Sequence, residues 1–164
     1  MRPYVEVAVD PEQRFLLPDS VVPMNALGAR RLGRAYWEEV EQTTRGLISI
    51  RATDGGVELR LLRKGPLLLG FGPPELEVCP TSISCSHPIL GGLLARAEGG
   101  VLVFAQEQEG QWCIRTSIRG FFPSLGVLPG RPRWTGFLYA QVQARLHRAV
   151  GRRYVARLVS EARR

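Results

Sequence analysis

The sequence is short of almost everything that announces a chemistry. Its 164 residues hold two histidines and three cysteines. A zinc site needs three or four ligands at recognisable spacing, and Cys79, Cys85, Cys113, His87 and His147 fall in no such pattern. Cysteines that are odd in number and sit inside strand-like runs argue against a disulfide framework and for a reducing, cytoplasmic setting. No apolar run approaches the ~20 residues that cross a bilayer. Glu6 falls where the apolar core of a secretion signal would lie, so a soluble chain without such a signal is expected. Ser82, Ser84 and Ser86 lack the G-x-S-x-G elbow of a hydrolase. The glycine pairs at 55–56, 91–92 and 99–100 lie between strands, and none opens a helix as a phosphate-cradling loop does. No metal and no cofactor is expected.

What the sequence does contain is a globular composition, 45% hydrophobic and 23% charged, and enough length for one domain spanning 1–164. Its charge is uneven. From Arg131 onward there are nine arginines and one acid, Glu161, a net of +8, against 13 basic and 14 acidic residues before it. Only Lys64 among the 22 basic residues is a lysine. That bias has two readings, a GC-rich coding sequence or guanidinium recognition of anions.

Along the chain, 4–9 alternates Val5, Val7 and Val9 with Glu6 and Ala8, a short strand. Pro11, Pro18 and Pro23 mark 10–23 as a loop anchored by Phe15, Leu16 and Leu17. From Asn25 the period turns helical, with Ala29, Leu32, Tyr36 and Val40 on one face. Gly28 and Gly33 leave open one helix or two short ones, and Gly46 suits a C-cap. Alternation at 48–52 and 57–61 around Asp54-Gly55-Gly56 predicts a β-hairpin. Strands follow at 67–71 and 75–89, the latter either one bent strand or two because of Pro80. Within it Ile83, Cys85, His87 and Ile89 share one face and the serines the other. Segments 101–105 and 111–121 pair as a long hairpin. Its second arm sets Trp112, Ile114, Thr116 and Ile118 on one side, and Cys113, Arg115, Ser117 and Arg119 on a side expected to be wet. Finally, 135–164 reads as one amphipathic helix: Leu138, Val142, Leu146, Ala149 and Val150 form an apolar stripe, Arg145, Arg148 and Arg152 a basic one.

This order is carried by Tyr4-Val5-Glu6-Val7, the helical 27–42, the hairpins centred on 54–56 and 107–110, and the terminal 138–158. It resembles the START-like or helix-grip superfamily, which includes polyketide cyclases, plant pathogenesis-related proteins and lipid-transfer domains. The resemblance implies an α+β fold in which a curved antiparallel sheet of about six or seven strands wraps around the long C-terminal helix, with a helical segment after the first strand. It also implies an apolar cavity there, holding a hydrophobic small molecule such as a lipid, sterol or polyketide. By face alone the wall would include Leu59, Leu61, Ile83, Cys85, His87, Trp112, Ile114 and Thr116, closed by Val142, Leu146 and Ala149. The same side chains describe a ligand pocket or a filled core.

Two further functions stay open beside ligand binding. His87, beside Cys85, could serve proton transfer in a cyclase- or dehydratase-like enzyme, although a hydrogen-bonded core histidine is the plainer reading. The arginine stripe, extended by Arg153 and Arg157, could bind nucleic acid or anionic lipid, although a solvated face is the usual fate of such a stripe.

Overall fold

The structure, a computed structural model, describes residues 5–9, 12–95, 99–120 and 133–164, with side chains over 12–95, 99–120 and 145–164. Its elements run β1 (Val5–Val9), β2 (Glu12–Leu17), α1 (Ala26–Thr43), β3 (Ile48–Thr53), β4 (Gly56–Leu61), β5 (Leu67–Phe71), β6 (Glu75–Cys79), β7 (Ser82–Gly91), β8 (Val101–Glu109), β9 (Gln111–Arg119) and α2 (Arg133–Ala162). The fold is α+β. The nine strands among the described residues join one antiparallel sheet in the order β1-β2-β9-β8-β7-β5-β4-β3, and β6 pairs with the first half of β7 on the side where β5 takes the second.

Several sequence expectations need correction. The segment expected to be a loop contains β2, so the helix follows the second strand rather than the first. Pro11 and Pro18 bracket this strand without interrupting it, and the period of two is intact: Gln13, Phe15 and Leu17 are buried while Glu12, Arg14 and Leu16 are partly exposed. The side expected to be wet on β9 is also largely covered. Cys113 and Ser117 are buried, and Arg115 keeps only 14% of its side chain exposed beside Glu107 and Glu12. Glu12, Arg14, Glu107 and Arg115 form an ion-pair ladder across β2, β9 and β8. The open alternatives also resolve. Pro80 lies in the turn between two strands, and 26–43 is one helix.

Helix α1 stays whole across its two glycines because each permits a close approach. Asn25 caps it, its side chain accepting the Gly28 amide at 3.0 Å. A Cβ on Gly28 would stand 1.8 Å from the Pro23 carbonyl oxygen, and one on Gly33 2.9 Å from Cys85 Sγ. The helix therefore settles directly on β7, with further contacts to β3, β6 and β8. Among the described residues α2 packs mainly on α1 and touches β2. Its buried side chains, Val150, Tyr154, Val155, Leu158 and Val159, step by four along two adjacent rows. That repeat drifts off Ala149, which is exposed instead of closing the wall, as is Leu61 at 38%.

The segment between β2 and α1 is pinned from the sheet. Gln106, fully buried on β8, accepts the amides of Val21 and Val22 at 2.8 and 3.1 Å and donates to the Val22 carbonyl at 2.9 Å. One side chain thus answers three backbone groups.

The close seat of α1 has a measurable consequence. Gly33→Ala is expected to lower stability by about 1–3 kcal/mol in urea melts, although alanine is the better helix former by about 1 kcal/mol. Pairing it with Cys85→Ala removes the obstructing sulfur, so the double variant should be at least about 1 kcal/mol more stable than the sum of the singles.

Candidate ligand site

The residues nominated from the sequence fall into two groups. Ile83, Cys85 and His87, at 1%, 1% and 3% exposure, lie on the inner face of β7 beneath α1. Thr116 lies on β9, toward α2's partner strand β2, with Trp112 half-buried on the same face. Leu146 of α2 packs half-buried against the core, and the side chain of Val142 lies outside the described residues.

The group under α1 is chemically quiet. His87 Nδ1 donates to the Gly72 carbonyl at 3.1 Å, which leaves Nε2 as the acceptor facing Cys85 Sγ at 3.7 Å. Trp37, Phe71 and Phe104 surround the imidazole, with centroids 5.4, 6.5 and 6.4 Å away. Burial lowers the His87 pKa against the opposing effect of the Gly72 bond, and burial pushes the Cys85 thiol up to about 11. A nucleophile and base pair needs a thiolate, and desolvation favours the thiol instead.

The second group is different. Gln13 on β2 sits opposite Thr116 on β9, and the row continues through Phe104 and Cys85. From above, α2 presents Gly151 and Tyr154. A Cβ on Gly151 would run into the Gln13 side-chain oxygen, so only glycine lets the amide lie against the helix. Tyr154 packs its ring on Tyr36 and Phe104, with centroids at 5.5 and 6.1 Å. Gln13, Thr116 and Tyr154 are 5%, 0% and 0% exposed, yet both Gln13 amide atoms, Thr116 Oγ1 and Tyr154 Oη have no hydrogen-bond partner among the described residues. Trp37 Nε1 shares that condition, within the aromatic cluster. Nearby, Tyr36 Oη and His147 Nδ1 are 3.1 Å apart. Burial raises both tyrosine pKa values, so the phenols stay protonated and able to donate.

Gln13 and Tyr154 were missed by sequence reasoning. Gln13 lies in the stretch read as a loop, and its alternation with Phe15 and Leu17 was the available signal. Tyr154 follows Val150 by four residues on the apolar stripe.

The basic stripe of α2 is divided. Arg157 turns to α1, with its guanidinium 3.3 Å from Glu38, 3.7 Å from Glu39 and 3.4 Å from Glu161. Arg145, Arg148, Arg152 and Arg153 are exposed. Two surface hollows, one bordered by Arg14, Glu107 and Gln111, the other by Val57, Leu67, Phe71 and Leu90, are lined by none of Gln13, Cys85, His87, Thr116 and Tyr154. Among the described residues no cluster of three or more histidines, cysteines and acids could hold a metal, and no helix is long and apolar enough to cross a membrane. Comparison with known proteins finds no matching family model, no similar curated protein and no similar solved structure.

His87 sets a pH dependence of definite sign. Its folded pKa lies below the ordinary 6.5, so the unfolded chain takes up the proton first as pH falls. The stability contributed by neutral His87 is complete above that value and lost progressively below it, toward the lower folded pKa. Urea melts between pH 8 and pH values below 6.5 should show this loss in the wild type. In His87→Gln, less stable at the upper end, the loss over the same interval should shrink.

Proposed function

We propose that the chain is a small-molecule-binding protein of the helix-grip kind, holding a ligand with an apolar body and one polar group between α2 and strands β2 and β9. The observation that carries this reading is that Gln13 and Thr116, opposite each other on β2 and β9, and Tyr154 on α2 are buried with polar atoms that have no hydrogen-bond partner among the described residues. Each such group costs about 1–3 kcal/mol when left unpaired. A hydroxyl or carbonyl on a lipid, sterol or polyketide-like molecule would meet donors in Tyr154 and Thr116 and both functions in the Gln13 amide. The topology gives support as well. β2 lies beside the last strand, β9, and the terminal helix, packed mainly on α1, touches β2. A cyclase-like enzyme working through His87 has less in its favour, because both ring nitrogens are engaged within the core.

The isosteric variants Thr116→Val and Tyr154→Phe separate this reading from a plain core. Native mass spectrometry of the wild type, purified without denaturant, is expected to show an added small-molecule mass that organic extraction removes. Each variant should retain less of it, while the ligand-free protein melts at the same temperature or higher, since a buried hydroxyl without a partner has been removed. A wild type with no bound mass, together with variants that are destabilised, would sink the proposal.

A further inference from the structure

The turns at one end of the β3-β4-β5 wing break two rules at once. Leu47, Leu62 and Leu93 are 55%, 55% and 56% exposed there. Backbone bonding ties Leu62 to Leu47, the Leu62 amide donating to the Leu47 carbonyl at 2.8 Å, and ties Leu93 to the start of β5 at the same end of the wing, the Leu93 amide donating to the Leu67 carbonyl at 3.2 Å. Leu62 and Arg45, at φ 57 and 52, are also the only non-glycine residues with positive φ among the described residues. A bulky side chain is strained in that region, where glycine would sit freely. Strain of this kind persists where the surroundings hold it, and it turns an apolar side chain and a cation outward.

Among the described residues of these turns the charged side chains are all basic. Arg45, Arg63 and Lys64 are exposed, and residues 44–49, 61–67 and 92–95 contain no acid. Glu41 and Glu58, on the elements leading into the turns, are engaged by the Ile50 amide and by Arg60. We propose that this tip docks the protein on an anionic bilayer, the leucines entering the boundary between headgroups and acyl chains and the three cations pairing with lipid phosphates. Apolar residues rimmed by cations suit that interface, since burial and electrostatic attraction add there. Docking of this kind does not require an occupied interior.

The test is co-sedimentation of the full chain with vesicles of phosphatidylcholine alone or mixed with phosphatidylglycerol, at low and high salt. The wild type should bind the mixed vesicles, bind the neutral ones less, and release with salt. Leu62→Gly relieves the backbone strain, so its melting temperature should be no lower than wild type, yet its vesicle binding should fall about tenfold or more. Neutralising Arg63 or Lys64 should cost about fivefold each. Any of these results would overturn the proposal: no binding of wild type to the mixed vesicles, binding unchanged in Leu62→Gly, or binding abolished by Arg145→Gln/Arg153→Gln while the tip variants bind normally, which would place the contact on α2. So would a wild-type dimer in sedimentation equilibrium that Leu62→Gly dissolves while vesicles are not bound at all.

Discussion

The seat of Gly33 on Cys85 is the contact from which the rest of the interior follows. With a hydrogen in place of a side chain, α1 reaches β7 closely, and the next turn of its face delivers Tyr36 and Trp37. Tyr36 lies 4.6 Å from Phe104 between ring centroids, and Trp37 lies 5.0 Å from Phe71. Such pairs contribute about 0.5–1.5 kcal/mol beyond their buried area. Tyr154 then packs edge-on against Tyr36, so α2 takes its position from α1 as much as from the sheet. A larger residue at position 33 would lift α1 and, through Tyr36, shift the helix that covers Gln13.

Charge holds the two helices in that relation from outside. Arg31 grips both carboxylate oxygens of Glu161 at 2.6 and 2.7 Å and reaches Glu38 at 3.3 Å, while Arg157 enters the same cluster from α2. A planar guanidinium can span two helices in this bidentate way, and an ammonium cannot. Part of the arginine bias therefore has a structural use, here and in the Arg14 and Arg115 ladder on the opposite face of the sheet. The partly exposed pairs between the helices contribute about 0.2–1 kcal/mol each. They select an arrangement more than they stabilise it.

Period-two alternation made most of the sheet legible, including the β3-β4 hairpin, whose register pairs Ile48 with Leu61 and Ala52 with Val57. Where it failed, the reason was chemical. The run Gln106-Glu107-Gln108-Glu109 looks like loop by polarity, yet it completes β8, because Gln106 is consumed by the Val21–Val22 backbone and Glu107 by Arg115. β2 was hidden by prolines that border it. The face of each strand was readable, but not which element would cover that face. Cys85 and His87 were assigned to the terminal helix and lie under α1, and of the unpartnered polar row only Thr116 could be named in advance.

A chain shaped only for stability would place valine at 116, phenylalanine at 154 and glycine at 62, since the surrounding backbone accepts each of these. This one keeps in its core hydroxyls that have no partner among the described residues, and a leucine in a left-handed turn at its surface. Proteins tolerate such local inconsistencies where something other than folding depends on them. The two departures sit toward opposite ends of the strand order, one at β2 and β9, the other at β3, β4 and β5. No single packing defect accounts for both, so each calls for its own cause, and the two proposals supply one apiece: a ligand's polar group at the interior and an anionic bilayer at the surface.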